Sequence, residues 1–519
     1  MEQTELIISL LVVVGCVGAL AQKVKIALPI LLVVTGMIIS VIPQIPDIIL
    51  EPNVVFLMLM PPLIYVDAFN TPWKQLTDVA DAISLQAFGL VLVTVAAVGA
   101  AIHAVVPDMP WAAAFIFGAI VSPTDAVAAS AISREINLPK RILNVIKGES
   151  LINDATGLVA YQFAVAAMVT GTFSWSEAGL KFIYVSVIGI AIGYLVGWLL
   201  LKVRTILDNP PVEMIASLIS PFLAYLVAEH FHASGVLSVV TAGLLLGWHA
   251  PKMHRSHTRL HLQANWEAID YILNGFAFLL LGLQLQPVLR TLCVYPLKDL
   301  IIWTITAAVS PILVRFAWTF AVAPIVSLRR HKKPSWKGLF ILSWAGMRGV
   351  VSLAAALAIP MTCSAGHPFP YRDLILFLTM VVIISTLLLQ GMTLPFIVNK
   401  FGFDTDDAEA IAAERQARLF LSREAVRAID SMARAKNIDM EHPNLMRLMN
   451  HHLDKSVQHI SEQRPNLDEQ VVWRELHLET ISCQRKVLIA LREKHEIKED
   501  LFRLLQAELD FEEAQFHIR

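Results

Sequence analysis

The amino-acid sequence predicts an all-α membrane protein with thirteen transmembrane helices and a helical cytosolic tail. Of its 519 residues, 56% are hydrophobic and only 16% are charged, whereas a soluble domain has about 25% charged residues. The charges are unevenly distributed, since residues 1–400 hold 44 of the 84 and residues 401–519 hold the other 40. We therefore divide the chain into a membrane body, 1–400, and a tail, 401–519.

Runs of about 20 mostly apolar residues are long enough to cross a bilayer as helices. By this criterion the membrane body contains thirteen spans, of which the ninth is the shortest. The predicted spans are 6–22, 26–43, 53–67, 80–105, 111–132, 150–170, 179–201, 212–229, 236–248, 267–285, 299–325, 338–360 and 373–397.

The basic residues of the connecting loops support this count. Loops after odd-numbered spans hold seventeen Lys and Arg residues, and loops after even-numbered spans hold three. Because short cytoplasmic loops carry the excess of basic residues, this alternation predicts an N-terminus outside the cell and a C-terminus inside it. No basic region precedes the first span, so we expect that span to be retained and not cleaved as a signal peptide.

The tail has the pattern of soluble helices and carries no recognisable catalytic motif. Residues 408–434 and 471–511 place apolar side chains at helical spacing among charges. Net charge is close to zero, at −2, and the four cysteines lie far apart, so we expect no nucleic-acid partner and no metal or disulfide framework. The spans also lack nucleophile and zinc-protease motifs, and we expect neither an enzyme nor a cofactor.

Span five contains a polar interruption, Ser-Pro-Thr-Asp at 122–125. Pro123 removes a backbone N–H and clashes with the preceding turn, which predicts an interrupted helix. Free carbonyls at such a break can coordinate a cation at mid-membrane, with Asp125 as an anionic partner.

Span six opens with a second polar cluster. Ser150 and Asp154 are four residues apart and share one helix face, and Glu149 and Asn153 lie about 100° around the helix from them. Hydroxyl, carboxylate and carbonyl oxygens are the ligands that hard cations prefer. Charged groups at membrane depth are costly and mark functional sites, so this cluster predicts a cation site.

Span twelve contains the third cluster, in which Gly346 and Gly349 flank Arg348. The glycines permit a broken helix, and a buried arginine there must pair with an acid or with helix-end carbonyls. Between these alternatives we favour Glu149 as the partner of Arg348. Spans five and twelve are seven apart, so the two interruptions occupy matching places in two halves of opposite orientation, as in inverted-repeat transporters.

The three clusters, SPTDAVA (122–128), GESLINDATG (148–157) and AGMRGVVSLA (345–354), occur in this order. In them the chain resembles the monovalent cation:proton antiporter-1 family, which contains bacterial NhaP-type and animal NHE-type sodium/proton exchangers. The resemblance covers roughly residues 5–400 and leaves the tail unassigned.

The resemblance implies a role for each polar residue of the first two clusters. Asp154 is similar to the family's essential carboxylate, which binds cation and proton in alternation. Asn153 completes an Asn-Asp pair similar to that of electroneutral exchangers. Asp125, Ser150 and the carbonyl of Thr124 resemble the remaining Na+ ligands.

The resemblance also implies the architecture around this site. Glu149 and Arg348 resemble a structural ion pair, and Asp67 more loosely resembles an acid near a cytoplasmic funnel. The implied fold is a homodimer in which a six-helix core, spans 4–6 and 11–13, moves against a dimerisation domain, spans 1–3 and 8–10.

The expected function is secondary antiport of Na+ or Li+ against H+ across a lipid bilayer, electroneutral and one for one. K+/H+ exchange is an alternative because the oxygen ligands do not fix the size of the cation. A channel, or a sensor whose tail carries the output, is a third reading. Compact loops favour a bacterial inner membrane.

Overall fold

The structure is a computed structural model, and it describes most of the membrane body and one helix of the tail. The described ranges are 3–24, 27–42, 52–71, 80–125, 140–170, 175–204, 209–253, 256–330, 335–363, 367–402 and 407–435, with scattered positions beyond 435.

These ranges are almost entirely helical, and each predicted span overlaps a helix within its described residues. The helices are α1 (Gln3–Val24), α2 (Leu28–Ser40), α3 (Pro52–Asn70), α4 (Ala80–Val105), α5 (Trp111–Val121), α6 (Lys140–Thr170), α7 (Trp175–Arg204), α8 (Pro210–His230), α9 (Gly235–Met253), α10 (Ser256–Thr291), α11 (Leu297–Arg330), α12 (Trp336–Trp344), α13 (Val350–Leu357), α14 (Arg372–Phe401) and α15 (Asp407–Ala435). Two of them contain a π-helical turn, Leu85–Leu90 in α4 and Leu387–Gly391 in α14.

Seven helices of the described ranges are long and apolar enough to cross a membrane: α4, α6, α7, α8, α10, α11 and α14. The remaining apolar helices of the body are shorter. The helices of the membrane body expose large apolar side chains. In α7, for example, Leu180, Ile183 and Leu195 are each more than half exposed. Because lipid tails, and not water, accommodate such surfaces, the predicted all-α, multi-pass membrane protein is confirmed.

Small residues let these helices approach one another closely. A Cβ on Gly36 of α2 would overlap the backbone of α10 at Leu279 and Gly282, and a Cβ on Gly193 of α7 would overlap the backbone of α9 at Ser238. Without a hydrophobic driving force between helices in lipid, such close backbone packing is a main source of helix association. The helices pack in two bundles. One contains α1–α3 and α7–α10, and the other contains α4–α6, α11 and α14.

The chain divides into two compact units, Met1–Asp404 and Thr405–Arg519. In the second unit, α15 spans Asp407–Ala435, close to the helix that the sequence predicts at 408–434. Ion pairs at helical spacing, Arg427 with Glu424 and Arg434 with Asp430, line its surface. Most of the second predicted tail helix, 471–511, lies outside the described residues, and the scattered positions that are described within it are helical.

The helix of span five ends at the predicted position, and the helix of span twelve is broken at the predicted position. α5 ends at Val121 and the backbone of 122–125 is not helical, while residues 345–349 separate α12 from α13. The rest of span five, 126–132, lies outside the described residues. These breaks position the polar residues of the body.

Candidate ion-binding site

The two non-helical segments touch each other. The backbone N–H of Asp125 donates to the carbonyl of Met347, at 2.7 Å from nitrogen to oxygen. A Cβ on Gly349 would overlap the Asp125 carboxylate, so only glycine allows the acid to lie against this backbone. Asp125 thus lies beside the N-terminus of α13, where a helix dipole favours a negative charge.

A cavity opens beside this crossing, with about 390 Å³ of empty space that is partly continuous with solvent. Its walls come from α3, the break after α5, α6, α10 and the start of α13. The polar side chains among its lining residues are Asp67, Thr124, Asp125, Ser150, Asp154, Asn274 and Ser352. Three chain segments that are remote in sequence therefore bring five of the predicted site residues to one cavity.

Asp154 lies in the middle of α6 and is only 6% exposed. Its Oδ1 has no hydrogen-bond partner in the described structure. Ser150, one helical turn earlier, lines the same cavity. An ionised carboxylate buried in this way is costly unless a proton or a cation neutralises it.

Asn153 and Thr124 form a hydrogen-bond chain behind the carboxylate. The Asn153 amide donates to the Thr124 hydroxyl at 2.8 Å, and that hydroxyl donates to Glu149 at 3.2 Å. The side chain of Thr124 is thus engaged by its neighbours, and Asn153 positions the break of span five. All three residues are nearly or fully buried.

The expected pairing of Glu149 with Arg348 is wrong. The structure pairs Glu149 with Arg315 of α11, whose Nη1 donates to Oε1 and whose Nη2 donates to Oε2 at 3.0 Å. Arg315 also donates to the carbonyl of Leu342 through Nε and Nη2, at 3.2 and 3.1 Å. With the two side chains 1% and 0% exposed, this is a buried, bidentate ion pair.

Arg348 instead takes the second alternative, helix-end carbonyls. Its Nε donates to the carbonyl of Val121 at 3.0 Å, and its Nη1 donates to that of Gly346. Its backbone N–H donates to the hydroxyl of Thr386 in α14 at 3.2 Å. Because the C-terminus of a helix carries partial negative charge, the end of α5 stabilises this guanidinium.

Sequence reasoning missed three residues of this region. Arg315 carries a permanent charge in the middle of span eleven, the same signal that identified Arg348. Asn274 of α10 lines the cavity and donates to Asp270 at 2.8 Å, and both are polar residues within a predicted span. Ser352 was visible only as one more small polar residue in the third cluster.

The fold and the site define a class of protein. Interrupted helices from two halves of the chain cross beside buried carboxylates, and a cavity reaches the crossing. This combination is typical of inverted-repeat secondary transporters, which bind ions where helices are unwound.

The chain belongs to the sodium/hydrogen exchanger family, whose sequence profile, described as "Sodium/hydrogen exchanger, transmembrane", matches residues 7–400. The resemblance read from the three motifs is thus confirmed, and the chain is a member of a family of cation/proton exchangers.

Relatives of known name agree with this assignment. The chain is 35% identical over 389 residues to the "Sodium, potassium, lithium and rubidium/H(+) antiporter" of Bacillus pumilus, covering 72% of this chain and 58% of that protein. It thus spans little more than half the length of this relative. The "Uncharacterized Na(+)/H(+) exchanger YjcE" of Escherichia coli is 31% identical over 539 residues, which cover 98% of both chains.

A solved structure shares the fold. The sodium proton antiporter MjNhaP1 of Methanocaldococcus jannaschii superimposes with a TM-score of 0.62 at 20% identity, covering 76% of this chain and 98% of that one. At this identity the likeness speaks for the fold alone.

Proposed function

We propose that this protein exchanges a monovalent cation, Na+ or Li+, for a proton, one for one, with both ligands competing for Asp154. The observation that carries the proposal is the buried Asp154 carboxylate in a cavity that Asp125 and Ser150 also line. The named activity of the relatives, which includes sodium and lithium antiport, supports it.

The ligand set consists of oxygens throughout. Asp154, Asp125 and the Ser150 hydroxyl face one cavity, and Thr124 contributes its backbone carbonyl since its hydroxyl is engaged by Asn153 and Glu149. Hard cations take carboxylate, hydroxyl and carbonyl oxygens. We propose Na+ as the ion held by these four residues.

The uncharged Asn153 and the neutralised Glu149 support one ion per cycle. Arg315 neutralises Glu149, and the Asn153 side chain carries no charge, so Asp154 is the exchanging carboxylate of α6 in this proposal. A proton or a cation neutralises it, and only a neutralised core crosses the membrane barrier at low cost.

K+/H+ exchange is the second candidate. The name of the Bacillus pumilus relative includes potassium and rubidium, and oxygen ligands of these types do not by themselves fix the size of the cation. A cation series decides between the two candidates.

The architecture proposed with this function follows the sequence. A helix within the described part of each predicted span supports the count of thirteen. The excess of basic residues in the loops after odd-numbered spans supports an N-terminus outside and a tail inside a bacterial inner membrane. We propose that α4–α6 and α11–α14 form the moving core. The helices α1–α3 and α8–α10 then form the dimerisation domain of a homodimer, and Asp67 on α3 is an acid of the cytoplasmic funnel.

The test uses purified protein in proteoliposomes that contain a pH-sensitive dye. Na+, Li+ or K+ is added outside, and the membrane potential is clamped. We expect cation-driven proton movement that the clamp leaves unchanged and that Asp154→Asn abolishes. Asp108→Asn is the matched control, since Asp108 is an exposed loop acid at φ 59°, a conformation that asparagine tolerates. A wild-type protein in which no cation moves protons would refute the proposal.

A further inference from the structure

One hydroxyl in the cavity has no part in the ligand set described above. Ser352 is the third residue of α13, is 1% exposed and lines the cavity together with Asp154. Its Oγ makes no hydrogen bond to any residue that the structure describes. The Asp154 Oδ1 lacks a partner in the same way.

A buried serine in a helix ordinarily satisfies its hydroxyl with the carbonyl three or four residues earlier. Ser343 of α12 does so, donating to Leu339 at 2.9 Å, and Ser122 donates to Ala119 at 2.9 Å. The carbonyls three and four residues before Ser352 belong to Gly349 and Arg348, which both lie in the non-helical break, and the Gly349 carbonyl accepts from the backbone N–H of Leu353 at 3.3 Å. The interruption of the helix therefore leaves this hydroxyl without its local partner.

A buried hydroxyl without a partner costs free energy unless a ligand or water satisfies it. Ser352 and Asp154 approach the same cavity from two helices, α13 and α6. Neither oxygen bonds to the other. A cation between them satisfies both at once, since ions of the size of Ca2+ take oxygen ligands at about 2.3–2.6 Å and Na+ is of similar size.

We propose that Ser352 is an additional ligand of the transported cation and that it sets the preference for small cations over K+. The inference rests on the proposed function. The known motif residues supply ligands from span five and span six, and Ser352 adds one from the second half of the chain. A ligand from an additional helix, α13, restricts the space left for the ion. Small ions then gain more than large ones, because they need short contacts on every side.

The test compares Ser352→Ala, Ser352→Cys and Ser352→Thr in the proteoliposome assay. Alanine removes the oxygen, cysteine keeps the volume but offers a soft sulfur that suits hard cations poorly, and threonine keeps the hydroxyl. We expect the first two to raise the KM for Na+ and Li+ about five- to tenfold, the worth of one neutral ligand. The KM for K+ rises less, the maximal rate stays close to wild type, and threonine retains Na+ preference.

Ser343→Ala is the matched control, because Ser343 is a fully buried serine of the same predicted span that already has an acceptor. Its KM is expected to equal that of wild type. Na+-dependent thermal stabilisation of the purified variants in detergent provides a second readout, which is independent of transport. Ser352→Ala should need about five- to tenfold more Na+ for the same shift in melting temperature.

An unchanged KM for Na+ and an unchanged Na+/K+ ratio in Ser352→Ala would overturn the role of Ser352. An equal rise in the KM for Na+ and in the KM for K+ would overturn the claim about selectivity. Failure of the proposed function itself looks different, since the wild-type protein would then show no cation-dependent proton movement in the same vesicles.

Discussion

The buried ion pair between Glu149 and Arg315 makes a strong prediction about stability. Both side chains are almost wholly inaccessible and two parallel N–H···O bonds join them. Removing one partner leaves an uncompensated buried charge, which costs about 3–5 kcal/mol. We therefore expect Glu149→Gln and Arg315→Gln each to lower the free energy of unfolding by about this amount. The double variant should lose much less than the sum, giving a coupling energy of at least about 2 kcal/mol.

Arg348 provides the matched control for this cycle. Its guanidinium donates to the carbonyls of Val121 and Gly346 and to no carboxylate among the described residues, so its coupling with Glu149 should stay below about 1 kcal/mol. The measurement is equilibrium unfolding in mixed detergent micelles at increasing SDS fraction, followed by tryptophan fluorescence. A larger coupling of Glu149 to Arg348 than to Arg315 would refute the assignment and restore the pairing expected from sequence.

Three further predictions concern transport. Gly349→Ala should raise the KM for Na+ at least about tenfold, because the new Cβ displaces the Asp125 carboxylate. Gly179→Ala, with open space around its new Cβ, should have the KM of wild type. Equal KM values in the two variants would contradict the geometry. Lowering the pH should raise the KM for Na+ by up to about tenfold per pH unit without changing the maximal rate, since protons occupy Asp154 and more cation is needed to displace them. A maximal rate that falls at constant KM would argue against a site shared by Na+ and H+. Asn153→Asp adds a second acid beside Asp154 and should make the exchange rate depend on the membrane potential. The check is to vary the potential with valinomycin and K+ and to compare the variant with the wild type, whose rate should not respond.

Hydropathy and backbone chemistry carried most of the fold from sequence alone. Apolar runs located the long helices that the structure describes in the membrane body, because the bilayer requires a continuous hydrogen-bonded segment of sufficient length. Pro123 and the glycines of span twelve located the breaks, since each acts locally on the backbone. The structure shows both breaks at the predicted places and in contact with each other.

The partners of the buried charges were beyond sequence reasoning. The rule that a buried arginine needs an acid or helix-end carbonyls was correct for Arg348, yet it could not choose between the two. The choice depends on where α11 lies, because Arg315 from that helix reaches Glu149 first. The same rule, applied to Arg315, would have named a second buried arginine as a possible partner of Glu149. Sequence also could not show that the Ser352 hydroxyl lacks a hydrogen-bond partner among the described residues, because this depends on the path of the non-helical backbone before α13.

The central claim is that cation and proton compete for Asp154, and the most direct measurement counts the protons released when Na+ binds. Titration calorimetry of the detergent-purified protein in two buffers of different ionisation enthalpy gives this number without transport. For protein that starts in the protonated state, the account predicts close to one proton released per Na+ bound. It predicts none from Asp154→Asn and an unchanged count from Asp108→Asn. Na+ binding without proton release in the wild type, or the same release from Asp154→Asn, would contradict it.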